Sequence, residues 1–148
     1  MSPVESQSIE VTTDRSRLDL DVIHGFLTRS YWARGIPRET VARSIEHSLC
    51  FGAFDEDRQV GFARVISDRA TFAYICDVFA LESHQGGGVG KSLMAAIMSH
   101  PELQGLRRWT LFTRDAHGLY RQYGCGVPGH PERLMEVVDS DPCNSAAY

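Results

Sequence analysis

Gln85-Gly86-Gly87-Gly88-Val89-Gly90-Lys91-Ser92 decides how this chain is read. It lies between an apolar, strand-like run, Phe72 to Leu81, and a helix-like run, Val89 to His100. A strand, a glycine turn and a helix start together make an anion site. The first N–H groups of a helix have no acceptor inside it, and the macrodipole adds partial positive charge there. Glycines such as Gly88 and Gly90 let the backbone close on a bulky phosphate without a Cβ in the way. The stretch therefore points to a phosphorylated small molecule as ligand.

Two spacings compete for this turn, beside the bland reading of a glycine loop with no ligand. Gly90-Lys91-Ser92 ends like a nucleotide-binding P-loop, G-x-x-x-x-G-K-[ST]. That pattern needs glycine at position 85, where the chain has Gln85. Counted from Gly86, the loop is one residue short. The spacing that fits is Q-x-x-G-x-G, on Gln85, Gly88 and Gly90. It resembles the pyrophosphate loop of the GNAT superfamily of acyl-CoA-dependent N-acyltransferases. A second stretch, Thr113-Arg114-Asp115-Ala116-His117-Gly118-Leu119-Tyr120-Arg121-Gln122-Tyr123-Gly124, is similar to that superfamily's N-x-x-A-x-x-L-Y-x-x-x-G. The likeness is strongest over residues 49–124.

The resemblance implies acetyl-CoA as acyl donor, with no metal, and an amine as acceptor. It implies a bulged strand before the loop whose backbone pairs with the pantetheine arm. Val78 would aim its N–H at the acetyl carbonyl, where an N–H stabilises the charge that develops as the amine attacks. Phe79 and Ala80 would continue the pantetheine contact, and Gln85 through Ser92 would hold the pyrophosphate. Thr113, Ala116 and Tyr120 would complete the CoA side. Thr113 stands where the superfamily often has asparagine, and its hydroxyl is a weaker partner for a CoA amide. Tyr120 falls on the tyrosine that protonates the departing thiolate. A phenol of ordinary pKa ~10 is protonated at neutral pH and can act as a general acid.

Other site residues are read from their setting. Asp77 is the lone charge of an apolar strand, so it is a general base or part of a structural hydrogen-bond network. His117 lies three residues before Tyr120, on nearly the same helix face, as base, acceptor contact or exposed side chain. Tyr31 and Trp32 sit between two helices, where aromatics can wall an acceptor pocket or plug the core edge. Cys76 and Cys125 have no histidine beside them in sequence to activate them as acyl-accepting nucleophiles. The reading is direct transfer of acetyl to a primary amine, on a small molecule or a peptide, in a ternary complex. The alternative is a non-catalytic acyl-CoA-binding regulatory module, which would lack the acid.

Composition bounds these readings. A chain of 148 residues fits one domain with a sizeable core. A net charge of −4 argues against a general nucleic-acid binder. No apolar run approaches the roughly 20 residues that span a bilayer, and Met1 to Glu10 lacks the regions of a signal peptide. Cys50, Cys76, Cys125 and Cys143 form no C-x-x-C pair, which fits reduced thiols in a cytoplasmic protein. A homodimer is left open.

Periodicity predicts a strand at Ile9–Thr13, helices at Leu18–Ser30 and Pro37–His47, and strands at Leu49–Phe54, Gln59–Ile66 and Thr71–Leu81. A helix from Val89 follows, then a strand at Arg108–Thr113, a short helix capped by Asp115 and ended by Gly124, and a last strand at Leu134–Val138. The expected fold is α/β, a GNAT-like single domain over residues 1–140 with a mixed central sheet in the order β-α-α-β-β-β-α-β-α-β. Residues 141–148 are expected to be a mobile tail.

Overall fold

The computed structural model describes residues 8–139. Its elements are β1 (Ile9–Thr12), α1 (Leu20–Leu27), α2 (Arg38–Glu46), β2 (Leu49–Asp55), β3 (Arg58–Ser67), β4 (Phe72–Ala80), α3 (Val89–Ser99), β5 (Arg108–Leu111) and α4 (His117–Arg121). The five strands form one sheet in chain order. β1 to β4 pair antiparallel as a meander, and β5 joins β4 in parallel. The parallel step needs a crossover, and α3 supplies it.

Local chemistry sets the ends of the helices. α1 begins at Asp19, whose carboxylate accepts the N–H groups of Asp21 and Val22 at 3.0 and 3.2 Å. It is therefore shorter than the expected Leu18–Ser30. Pro37 precedes the first helical residue of α2 in extended geometry. Two cores flank the sheet. Val89, Leu93, Met94 and Ile97 of α3 bury against Phe51, Ala53, Val65, Ala73 and Ile75 on one face. Ile23, Leu27 and Val41 of α1 and α2 bury against Cys50, Phe62 and Phe79 on the other.

Two expectations are corrected. Leu134–Val138 forms no strand; its apolar residues suit one, but a strand needs a ladder, and among the described residues none is paired with it. Asp115 does not cap α4. Ala116 stands at the cap position with no side-chain cap, and Thr113 Oγ1 accepts the Ala116 N–H at 2.9 Å in the turn before the helix. The expected tail, residues 141–148, lies outside the described residues, as does Cys143.

Candidate active site

The site is built around an irregularity in β4. Cys76 stands opposite Arg64 and Phe79 opposite Phe62, so Asp77 and Val78 together face Ala63 alone. This is a β-bulge, and Asp77 carries it at φ 54°. The left-handed region is one that aspartate tolerates better than most side chains. The extra residue resets the alternation of the strand. Ala73 and Ile75 face the α3 layer before the bulge, and Val78 and Ala80 pack in that same layer after it. Phe79 is turned to the other layer, stacked on Phe26 with ring centroids 4.0 Å apart.

The bulge also turns Asp77 away from the apolar α3 layer. Its Oδ2 accepts from Arg64 Nε at 2.9 Å, and its Oδ1 accepts from Trp32 Nε1 at 2.9 Å. Arg64 Nη1 donates onward to Ser48 Oγ at 3.1 Å. The ion-paired side chains are only 10% and 13% exposed. A carboxylate at such depth needs this pairing. Both its oxygens are engaged, which is the structural network weighed from the sequence. Arg64 was missed. Its signal is a lone charge in the apolar strand Val60–Ile66, matching the lone charge of the next strand.

Past the bulge the sheet splits. β5 pairs with β4 only from Phe72 to Ile75, while β4 runs on to Ala80. Among the described residues, the edge of Cys76 to Ala80 on that side has no strand beside it. Such an edge is a template for an extended ligand that bonds as an added strand. Gln85 ties the following loop to the strand's end, its Nε2 donating to the Ala80 carbonyl at 3.2 Å.

At the start of α3 the N–H groups of Val89, Gly90 and Lys91 have no partner among the described residues. Gly88, at φ 85°, precedes the helix, and a Cβ there would meet no atom within 4 Å. Ser92 N–H bonds to the Gly88 carbonyl at 2.9 Å. The N–H groups of Val89, Gly90 and Lys91 come before that bond and have no intrahelical acceptor. Gly90 has a packing task as well. A Cβ there would lie 3.2 Å from Leu119 Cδ2, so this glycine lets α4 approach α3. His84 steadies the loop's start, with Nε2 2.9 Å from Asp55 Oδ2 and Nδ1 2.7 Å from Ser83 Oγ.

Across from the loop, Tyr120 of α4 is buried within the α3 core. Burial, with lesser contributions from Cys125, Tyr31 and Asp115, pushes its phenol up to about 12. Its hydroxyl has no bonding partner among the described residues, yet no buried side-chain polar atom there lacks one, so the hydroxyl reaches solvent. Thr113 Oγ1 accepts the Ala116 N–H, which leaves its hydroxyl proton to donate. His117 is exposed at the start of α4.

The loop between α1 and α2 contacts both the bulge of β4 and the segment after β5. Trp32 is bonded to the bulge through Asp77, and Tyr31 meets it edge-on at 5.1 Å. Arg114, in the β5–α4 loop, lies 3.7 Å over the Tyr31 ring and donates its N–H to Tyr31 Oη at 3.3 Å. The structure thus brings Tyr31, Trp32, Asp77 and Tyr120 into one neighbourhood. Among the described residues no group of three metal-ligating side chains is assembled, and no helix is long and apolar enough to cross a membrane.

A five-stranded mixed sheet that parts after a bulge, with a glycine loop at the parting, defines the class: an α/β protein of the GNAT fold. Residues 19–125 match the acetyltransferase (GNAT) family, and the chain belongs to that family and is an acetyltransferase of the GNAT type. It is similar to a crystal structure of a GNAT-family protein from Xanthomonas campestris pv. campestris, at 55% identity over 89% of this chain and 94% of that one, with a TM-score of 0.87. A protein of Gibberella zeae named for acetyltransferase activity is 32% identical over 133 residues, 74% of each chain. A predicted acetyltransferase from Clostridium acetobutylicum, crystallised with acetyl-CoA, shares the fold alone, at 11% identity, 88% and 94% coverage and a TM-score of 0.62.

Proposed function

We propose that this chain transfers the acetyl group of acetyl-CoA to a primary amine, on a small molecule or a peptide, by direct attack in a ternary complex. The observation that carries the proposal is the open edge of β4 beyond the bulge, bounded by the free N–H groups of α3 at one end and by a protonated Tyr120 in the same packed layer. These residues fit the donor. The N–H groups of Val89, Gly90 and Lys91, with the open face of Gly88, suit a pyrophosphate. Gly86, Gly87 and Ser92 complete that cradle. The β4 edge at Val78, Phe79 and Ala80 suits the amides of a pantetheine arm.

In this reading the amine nitrogen attacks the thioester carbon while Val78 N–H takes up the charge on the carbonyl oxygen. The C–S bond breaks and Tyr120 gives its proton to the thiolate. The attacking amine loses its own proton to water. Tyr31 and Trp32 wall the acceptor side and His117 stands at its rim. Asp77 serves as the anchor of the bulge, because Arg64 and Trp32 occupy both its oxygens. Direct transfer is supported by the cysteines. Burial pushes the Cys76 thiol up to about 12, and burial raises Cys125 too. A protonated thiol is a poor acyl acceptor.

The test is thiol release from acetyl-CoA against a panel of amines. Release that depends on the amine is expected. In Tyr120→Phe, kcat should fall by about 10²–10⁴-fold, the range of general acid catalysis, with CoA affinity unchanged. CoA binding with no release for any amine would replace the enzyme with a non-catalytic acyl-CoA-binding regulatory module.

A further inference from the structure

The start of the glycine loop carries a hydrogen-bond chain that the transfer chemistry does not use. Asp55 ends β2, and Ser83 and His84 lie in the single turn Glu82–His84 between β4 and the loop. The Asp55 carboxylate accepts from His84 Nε2–H at 2.9 Å, a bond between residues 29 apart. Ser83 Oγ lies 2.7 Å from Nδ1 on the other side of the ring. A neutral ring accepts the Ser83 hydroxyl proton at Nδ1, and a protonated ring donates to Ser83 Oγ, so both bonds stand in either form. The His84 side chain is 11% exposed and that of Asp55 26%, which shields the pair more than the exposed ion pairs of Arg38 and Arg69.

The backbone of His84 is fixed as well. Its N–H bonds to the Leu81 carbonyl at 2.8 Å, and its own carbonyl accepts the Gly87 N–H at 3.2 Å. The next residue, Gln85, is tied to the Ala80 carbonyl of β4. At the far end of the loop Val89 is buried over β3, where a Cβ on Gly61 would overlap its Cγ1. The loop is thus held to β2, β3 and β4, and only Gly86, Gly87 and Gly88 lie between the holding points. Three glycines by themselves have wide backbone freedom. Ordering such a segment as a ligand binds subtracts from affinity, and a loop held beforehand avoids that loss.

We infer that His84 is the positioning residue of the phosphate cradle. Held by Asp55, it sets the affinity for the pyrophosphate part of acetyl-CoA through the geometry of the loop, and it takes no part in the acyl transfer. The inference rests on the reading of the glycine loop as the donor's phosphate site. The network of Asp77, Arg64 and Trp32 at the bulge shares no hydrogen bond with the Asp55–His84 pair, so donor affinity and turnover are set by separate groups.

Calorimetry of CoA binding, followed by thiol-release kinetics, tests this. His84→Ala should weaken CoA binding by about tenfold or more, the effect of losing one or two hydrogen bonds that hold the cradle. The KM for acetyl-CoA should rise with it, while kcat at saturating acetyl-CoA stays within about twofold of wild type. His84→Gln puts an amide N–H where the imidazole donor stood and should recover most of the affinity. Asp55→Ala leaves the loop's own residues untouched and should match His84→Ala, and the double variant should be no weaker than either. Asp55→Ala also carries the test if His84→Ala does not fold. Acetyl-pantetheine has the thioester and no pyrophosphate, so wild type and His84→Ala should use it with the same kcat/KM. Wild-type CoA affinity in both His84→Ala and Asp55→Ala would overturn the inference. So would an equal loss toward acetyl-pantetheine, which would make His84 a general support of the fold. A wild type that binds no CoA would instead remove the donor reading, and the inference with it.

Discussion

Asp77→Asn isolates the charge that holds the bulge. Asparagine has the shape of aspartate and accepts φ 54° as readily, so the backbone cost is small. Its single carbonyl oxygen can serve Arg64 Nε or Trp32 Nε1, and one donor loses its acceptor. Arg64, 13% exposed, also loses its counter-charge. Removing one partner of a buried ion pair costs about 3–5 kcal/mol, and the residual exposure places this case near about 3. For a domain of this size that lowers Tm by roughly 6–12 °C. The second readout is kinetic. A tilted Val78 N–H retains part of the ~10²–10³-fold effect of an oxyanion donor, so kcat should fall by up to ~10²-fold while the KM for acetyl-CoA holds. Thermal unfolding of Asp77→Asn, Arg64→Met and the double variant gives the coupling between the two residues. The double variant should be more stable than the sum of the single losses allows. An Asp77→Asn melt within ~1 kcal/mol of wild type, with additive single variants, would refute the claim that this pair fixes the bulge.

Other outcomes follow from the same geometry. Gly88→Asp should abolish CoA binding, since it adds strain at φ 85° and a negative charge at the open face, whereas Gly90→Asp should chiefly lower Tm by pushing on Leu119; equal CoA affinity in Gly88→Asp and wild type, measured by calorimetry, would move the phosphate site elsewhere. The Tyr120 phenol, raised from 10 to about 12, binds its proton more tightly in the native state than in the unfolded chain. Its share of stability is whole below pH 10 and is lost as pH rises toward 12, by on the order of 3 kcal/mol, and Tyr120→Phe should flatten that alkaline decline in denaturant titrations. Cys50 and Cys76, pushed up to about 11 and about 12 chiefly by burial, should resist iodoacetamide in the native protein at neutral pH, and an acetyl adduct on Cys76 in a mass spectrum would contradict direct transfer.

What was legible in the sequence was whatever is local. The glycine loop announces itself because its residues are chosen for backbone reasons, and Gly86 and Gly88 do take positive φ. The meander follows from alternation and polar turns, and the crossover from the helical run after Val89. The bulge itself is silent in the residues. Tyr74 to Phe79 reads as an unbroken strand, and one extra residue shows only once β3 supplies a register to count against. Arg64 and Asp77 were each visible as misplaced charges, but pairing them required that register. The contact of Arg114 with Tyr31 spans 83 residues and has no pattern to betray it. Leu134–Val138 failed in the opposite direction. The pattern of a strand was present, and the ladder that makes one was not.

The network around Asp77 joins the loop between α1 and α2 to the bulge of β4. The bulge needs a residue that tolerates left-handed geometry, and aspartate meets that need while bringing a charge that must be neutralised. Arg64 neutralises it from the neighbouring strand, and Trp32 takes the remaining oxygen from the loop between α1 and α2. That same loop is held at its other end by Arg114, from the segment that follows β5. The loop is therefore strung between the two strands at the point where they part. Val78, whose N–H is assigned to the thioester, is the next residue after Asp77. On the proposed assignment, a movement of this loop would reach Val78 through the hydrogen bond from Trp32 to Asp77. Sequence distance suggests that Tyr31 and Trp32 act apart from the CoA site; on the proposed assignment, the Asp77 carboxylate that holds Trp32 sits beside Val78 and would link the two halves.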